Sequence, residues 1–408
     1  MTVSNDAPET PYCPRIAVVV SHPIQHFCPQ YTSLATSDLW ELKVFFGSPL
    51  GLEAYHDRNF GREVRWGGLD LSGFEHEFLH DAPIASGPKL DAPHLGERLA
   101  DYDPHVVISY GYAQKLQRRA QDWAKQNNKL LYYISDAEEA HRPSPLKIQL
   151  KRVLLRQRMA RIDRFLSVGD FNELVHRGFG AAMDRITRMH FSIDEPRYRA
   201  AMDGRTALRA KTRTAFGFEA QDVVVGTVGK LVPWKRQIDV IRAVGQSAPQ
   251  RQIKALIIGS GPDMDAAKAV AEQDAPGRVV FSGFVDPVEL PALYAASDIY
   301  AHAAAFEPHS LAISEAAYMG LPLVLSDRCG SYGPNDDLRV GANGWTYPMG
   351  DLQTLIAHLE RLAADPALCA TFGAASHAYA VNAQARAHGH FLTEALIADG
   401  FSIPSNAR

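Results

Sequence analysis

The sequence predicts an α/β protein of two domains, each built on a parallel sheet, and three observations carry that expectation. Its 408 residues exceed the size at which a single core keeps growing. Short, almost wholly apolar runs of strand length alternate with longer amphipathic stretches, the pattern of strands covered on both faces by helices. That alternation runs through the first half, breaks into polar chain with Pro196 and Gly204 over 194–205, and then starts again. The break predicts a domain boundary.

Taken in order, residues 1–14 lack a basic segment followed by an apolar one and are expected to be a disordered leader. Apolar runs at 15–21, 42–46, 106–109, 129–134, 164–168 and 186–191 predict the strands of a domain spanning 15–195. A second domain over 205–379 takes its strands from 222–227, 254–258, 279–282, 299–303 and 322–326. A helix is expected over 310–319, entered through Pro308, because proline suits a first helical turn.

Composition narrows the class. Apolar content of 46% and charged content of 22% are those of a soluble globular chain, and no apolar run approaches membrane-spanning length. A cytoplasmic location is the expectation. The four cysteines, Cys13, Cys28, Cys329 and Cys369, show no C-x-x-C spacing, which argues against both a disulfide framework and a zinc site. The net charge of −4 hides an asymmetry of −7 over 1–140, +10 over 141–215 and −7 over 216–408. Within the basic segment, 147–165 mixes seven Lys and Arg with a helical apolar pattern. Such a helix suits an anionic membrane surface and a peripheral position there, although it also fits a packed helix with a solvated basic face. Nucleic acid is disfavoured as a partner, because no aromatic residues interleave with the charge.

The motifs gather where strands end, which is where open parallel sheets bind ligands. Gly229, Lys230 and Lys235 follow the first strand of the second half, Gly259 and Gly261 the second, Gly283 and Phe284 the third, and Glu307-Pro-His-Ser-Leu-Ala-Ile-Ser-Glu315 the fourth. Two ammonium groups in one loop suit a diphosphate, a helix start suits a phosphate, and flanking carboxylates suit sugar or ribose hydroxyls. Each motif alone also reads as ordinary surface chemistry. The Gly259-Ser-Gly261 turn is weak as a dinucleotide fingerprint, because Met264 stands at the third glycine position. In the first half, His22, Gln25 and His26 follow the first strand, Tyr110 the third, and Asp136 and His141 the fourth. They are acceptor-side candidates, and a metal is not expected, since further ligands at suitable spacing are missing.

Taken together, Gly229-Lys230 with Lys235, Gly259-Ser-Gly261-Pro262, Gly283, Glu307 with Glu315, and Gly341-Ala-Asn343-Gly344 resemble the ordered signature of the family 4 retaining glycosyltransferases of GT-B fold. The likeness spans about residues 222–365 and extends more loosely over the N-terminal half. It implies two facing Rossmann-like domains with a cleft between them, the first completed by a C-terminal helix within 380–408. It also implies a hexosyltransferase-like transfer with retention, needing no cofactor or metal, from a nucleotide diphosphate sugar to a glycan or lipid-linked acceptor. A UDP-sugar is the first choice of donor and a GDP-sugar the second. In that scheme Lys230 and Lys235 bind the diphosphate, Glu315 the ribose, Glu307 the donor sugar, the N–H groups of Ser310 and Leu311 the distal phosphate, and Gly283 with Phe284 the base. Glu307, Lys235, Lys230 and Asp136 are the catalytic candidates. This chain departs from the usual Glu-Pro-Phe-Gly by carrying His309 and Ser310, so donor-sugar placement is expected to differ. A nucleotide-sugar 2-epimerase and a non-catalytic sugar-nucleotide-binding protein are the alternative readings.

Overall fold

A computed structural model of the chain describes residues 13–24, 27–52, 55–57, 62–64, 69–139 and 144–403. In the first half the strands are β1 (Arg15–Val20), β2 (Glu41–Phe46), β3 (Tyr55–Asp57), β4 (Arg62–Val64), β5 (Glu75–Phe78), β6 (Val106–Tyr110), β7 (Leu130–Ser135), β8 (Arg164–Ser167) and β9 (Ile186–Arg188). The intervening helices are α1 (Phe27–Ala35), α2 (Leu95–Tyr102), α3 (Lys115–Gln126), α4 (Pro145–Ala160) and α5 (Asp170–Gly178). Seven strands form one parallel sheet in the order β5-β2-β1-β6-β7-β8-β9, while β3 and β4 pair antiparallel apart from it. Side chains alternate across the sheet as the period of a strand requires: Ile16, Val18 and Val20 enter one core, Ala17 and Val19 the other.

After α6 (Glu195–Asp203) and α7 (Arg205–Ala215), the second sheet takes β10 (Val223–Val228), β11 (Ile253–Ile258), β12 (Val279–Gly283), β13 (Ile299–His302), β14 (Leu323–Ser326) and β15 (Gly344–Tyr347). Its order is β12-β11-β10-β13-β14-β15, all parallel. Helices α8 (Gln237–Gln246), α9 (Met264–Asp274), α10 (Leu290–Ala296), α11 (Leu311–Tyr318) and α12 (Leu352–Ala364) cover its faces. Helices α13 (Pro366–Ala385) and α14 (Phe391–Ala398) follow.

Three local readings are corrected by the structure. The polar stretch 194–205 is helical, because Pro196 sits in a first turn where its missing N–H costs nothing, and Gly204 merely separates α6 from α7. Its Tyr198 is buried in the core of the second sheet. The helix expected over 310–319 is found as α11, with Ser310 at its start, but Pro308 lies in the loop before it rather than in its first turn. Backbone bonds from Ala305 N–H to Trp234 O (2.7 Å) and from Glu307 N–H to Arg328 O (3.1 Å) hold 305–308 as loop. The strand expected to reach residue 191 stops at Arg188, and His190 adopts φ 64°, which no strand accommodates.

The chain passes from one sheet to the other over 189–194 and returns over 386–390, where Gly389 at φ 151° kinks the chain between α13 and α14. The two passages lie side by side. Ile193 N–H donates to Gln384 Oε1 at 2.8 Å, and Ser192 Oγ lies 2.7 Å from His388 Nε2. Beyond them, Phe391, Leu392, Ala395 and Leu396 of α14 are buried in the core of the first sheet.

Candidate functional site

Strand ends of the two sheets face each other across a cavity of about 490 Å³. From the first domain come Ile24, Phe27, Tyr110 and Asp136; from the second come Glu307, His309, Ser310 and Leu311. A larger hollow of about 730 Å³ lies around Asp222, Asp298 and Pro322, at the amino ends of strands, and none of the motif residues borders it. The cavity at the carboxyl ends is therefore the one that concentrates chemistry.

The loop after β10 reaches the loop after β13 through the Ala305–Trp234 backbone bond, and this brings Lys235 Nζ into direct contact with Glu307 Oε2. Glu307 is held from behind as well, since its carbonyl accepts from Gly330 N–H at 2.7 Å. The same carboxylate oxygen lies 3.2 Å from His302 Nε2, and His302 Nδ1 lies 3.1 Å from the Tyr300 hydroxyl. Burial, and then the Lys235 charge, hold His302 well below the usual imidazole range, so the ring is neutral. The tautomer protonated at Nε2 satisfies both neighbours: it donates to Glu307 and accepts from Tyr300. Burial, with help from the neighbouring Lys230, pulls the Lys235 ammonium down to about 8, while its contact with Glu307 favours the charged form.

Glu315 lies one helical turn inside α11 and is lined by tyrosines. Tyr294 donates to Glu315 Oε2 at 2.8 Å and also to the Ala312 carbonyl at 3.1 Å. Tyr198 and Tyr300 complete the surround, with ring centroids 6.2 and 6.0 Å from that of Tyr294. Burial raises the Glu315 carboxyl to about 7, against the hydrogen bonds that favour its ionised form. Glu307 is thus bonded through His302 to Tyr300, and Glu315 to Tyr294, whose ring packs against that of Tyr300. Sequence reading missed Tyr294, Tyr300 and His302 because a buried strand and an alanine-rich helix look like core. The available signal was the i, i+2 spacing of Tyr300 and His302, which places both on one face of β13.

Other expected residues fall as follows. The Ser310 N–H is already donated to Ser331 Oγ at 3.1 Å, which removes it as a ready phosphate donor; the Leu311 N–H makes no hydrogen bond among the described residues. Lys230 is half-buried after β10, and its carbonyl accepts from Gln237 Nε2. Gly229 takes φ 150°, and Gly259 (φ 134°) and Gly261 (φ 159°) have in addition a packing reason to be glycine. A Cβ on Gly259 would stand 2.0 Å from the Gly229 carbonyl, and one on Gly261 2.4 Å from that of Leu231. Gly283 takes φ 72° ahead of Phe284, and its carbonyl accepts from Gly259 N–H at 3.0 Å. His309 is buried, its Nε2 3.6 Å from Asp337 Oδ2 and its ring 5.2 Å from that of Phe191. Asp136 is exposed and Tyr110 hydrogen-bonds Tyr31 at 3.1 Å, both bordering the cavity. His22 does not border it: its Nδ1 lies 2.8 Å from Ser21 Oγ. Gln25, His26 and His141 lie outside the described residues.

Residues 209–379 match the family of glycosyl transferases group 1. An uncharacterized glycosyltransferase of Methanocaldococcus jannaschii is 29% identical over 138 residues, 33% of this chain and 35% of the relative. The D-inositol 3-phosphate glycosyltransferase of Corynebacterium glutamicum is 30% identical over 163 residues, 38% of each chain. The matched region thus spans little more than a third of the curated relatives' length. Among solved structures, Anabaena HepE in complex with UDP and glucose superposes with a TM-score of 0.65 at 18% identity, over 95% of this chain and 98% of that one. The fold is GT-B, and the likeness to the group 1 glycosyl transferases is confined to residues 209–379.

Proposed function

We propose that the chain is a retaining, metal-independent glycosyltransferase that moves a sugar from a nucleotide diphosphate sugar to a glycan, glycolipid or similar acceptor, with a UDP-sugar preferred over a GDP-sugar. The observation that carries this reading is the Lys235–Glu307 contact at the meeting of two strand-end loops, opposite Asp136 across the cavity. HepE, of like fold, was solved with UDP and with UDP-glucose, which supports the donor preference.

In this reading Lys230 and Lys235 neutralise the diphosphate as it leaves, assisted by the Leu311 N–H at the start of α11. Electrostatic stabilisation of the departing charge then leaves a divalent cation with no required role. Glu315 accepts from the ribose hydroxyls, and Gly283 with Phe284 border the base. When donor binds, Lys235 turns from Glu307 to phosphate, and the freed carboxylate accepts from sugar hydroxyls while His302 keeps it oriented. Asp136, exposed on the acceptor side, is placed to receive the proton of the attacking hydroxyl. Retention follows from attack on the face the diphosphate leaves.

The acceptor side also carries a membrane contact. Helix α4 exposes Leu146, Leu150, Val153 and Leu154, with Val153 71% and Leu154 72% accessible. Their i, i+4, i+7, i+8 spacing makes one apolar stripe, and exposed Lys147 and Arg156 flank it on opposite sides. Apolar residues bordered by cations suit an anionic bilayer surface.

The deciding experiment incubates the protein with UDP- and GDP-sugars, with and without an acceptor panel, and follows nucleotide diphosphate and product anomer. Release that depends on acceptor and gives a retained linkage supports the proposal. An isomerised donor sugar without acceptor would replace it with an epimerase.

A further inference from the structure

A second polar pocket lies on the seam between the domains, divided from the cleft by His309, whose Nε2 is 3.6 Å from Asp337 Oδ2. It measures about 310 Å³, at the lower end of small-molecule sites, and is bordered by Arg188 at the end of β9, His190 after it, Arg339 in the loop before β15, Asn382 in the last turn of α13 and Arg386 just beyond it. Three separate parts of the chain therefore contribute cations to one small space.

Its carboxylates are already engaged. Arg188 meets Asp170, Glu173 (2.7 Å) and Asp336 (3.2 Å), and Asp337 accepts from Ser314 Oγ at 2.8 Å. The opposite wall has donors to spare. Arg339 lies flat on Tyr379, its guanidinium carbon 3.8 Å from the ring centroid, and has no carboxylate partner among the described residues. Its Nε is buried without a hydrogen bond. Among the described residues Arg386 pairs only with Glu394, at the surface.

His190 is the most telling residue. It is 8% exposed, borders the pocket, and its ring makes no hydrogen bond among the described residues. Its backbone is held at φ 64°, a conformation that a non-glycine residue keeps only when its surroundings impose it, and which recurs at binding sites. After burial, the charges of Arg188, His309, Arg386 and Arg339 are what keep this imidazole well below its usual range. Among the described residues Arg339 is the guanidinium of this space without a carboxylate partner, while Glu173 and Asp336 are paired with Arg188, Arg386 with Glu394, and Asp337 bonds Ser314 Oγ.

We propose that this seam pocket binds a phosphate-type oxyanion, with Arg339 and Arg386 supplying charge and His190 a hydrogen bond. Charge-assisted bonds from guanidinium groups are the strong kind, and Arg presents them in a planar fork suited to phosphate. Because Arg188 and His190 belong to the first domain, Arg339 to the second and Arg386 to the return passage, a bound anion draws all three together. The ligand is either free phosphate or the phosphate of a small monoester.

The test is binding of inorganic phosphate to the full chain, by calorimetry and thermal shift at constant ionic strength, with glycerol 3-phosphate and glycerol as further arms. Saturable phosphate binding is expected, at least tenfold weaker in Arg339→Gln and in Arg386→Gln and unchanged in Lys235→Ala. The Arg386 variant keeps the test valid should loss of the Arg339–Tyr379 contact impair folding, and His190→Asn, which tolerates a positive φ, removes the imidazole. Tighter binding of glycerol 3-phosphate than of phosphate assigns the site to a phosphomonoester, and equal or weaker binding to free phosphate. Wild-type affinity in both arginine variants, loss only in Lys235→Ala, or no saturable binding in any arm would overturn the proposal.

Discussion

Asp336, carried by the second domain, accepts a hydrogen bond at 2.8 Å from the backbone N–H of Asp170, the first residue of helix α5 in the first domain. One domain thereby caps a helix of the other. The cap is reinforced by Arg188, and by Asn335 N–H, which donates to Asp170 Oδ2 at 2.9 Å. Gly169 leaves room for it: a Cβ there would stand 2.9 Å from Asp336 Oδ1 and 3.2 Å from His309 Nδ1.

Replacing Asp336 by Ala removes the cap, while Arg188 keeps Asp170 and Glu173 as partners. Loss of a cap costs about 1 kcal/mol, up to about 2. Urea denaturation should therefore show Asp336→Ala losing about 1–2 kcal/mol and Asp336→Asn, which keeps an acceptor oxygen, losing less. Equal losses in the two variants would show that shape rather than charge matters at this position.

Lys235→Ala and Glu307→Gln should each lower turnover by about 100-fold or more with folding intact, as removal of a preorganised electrostatic group does. Steady-state kinetics beside circular dichroism checks this. His302→Phe, which leaves both glutamates in place, should cost less, because it only loosens the orientation of Glu307. Turnover at the wild-type rate in the Lys235 and Glu307 variants would remove them from the site.

The Glu315 carboxyl, at about 7, sits above its ordinary range, so the folded state holds its proton more tightly than the unfolded chain does. Its stabilising contribution is complete below the unfolded value near 4.5 and is lost as pH rises through 7. Glu315→Gln should gain on wild type by on the order of 2 kcal/mol between pH 5 and pH 8 in the absence of nucleotide. Denaturation midpoints at four pH values test this, and a constant difference would reject the assigned titration.

Liposome flotation should separate the apolar stripe of α4 from its charge. Leu150→Ser with Leu154→Ser should abolish binding to vesicles rich in anionic lipid, and Lys147→Gln with Arg156→Gln should weaken it and flatten its salt dependence. Wild-type binding that ignores lipid charge, or none at all, discards the membrane contact.

Chelation offers a simpler check. With two lysines and a helix start meeting the diphosphate, excess EDTA should leave the transfer rate within about twofold, whereas a tenfold loss restored by a divalent ion would place a metal in the mechanism.

Much of this was legible in the sequence, and the physical reasons for the remainder differ from place to place. Strand runs such as 15–21 and 254–258 announce themselves because a strand covered on both faces admits almost only apolar residues. The motif glycines were visible too, yet the purpose of Gly259 and Gly261 was not, since contact of one backbone with another leaves no mark on neighbouring side chains. Tyr300 and His302 hid inside a core-like strand, because buried polar residues acquire partners only through tertiary packing. Helix 194–205 was obscured by Pro196 and Gly204, which punctuate helices as readily as they end them. The Asp336–Asp170 cap joins residues 166 positions apart, a distance over which local pattern carries no information.

The two passages between the domains, tied by Ile193 to Gln384 and by Ser192 to His388, act as paired pins on one axis. A single tether would let the halves swivel and shear; two fastened side by side, with Asp336 bonded to the Asp170 N–H as a third point, fix one orientation of the halves. Glu307 thereby faces the strand ends of the first domain in one register that the joint itself sets.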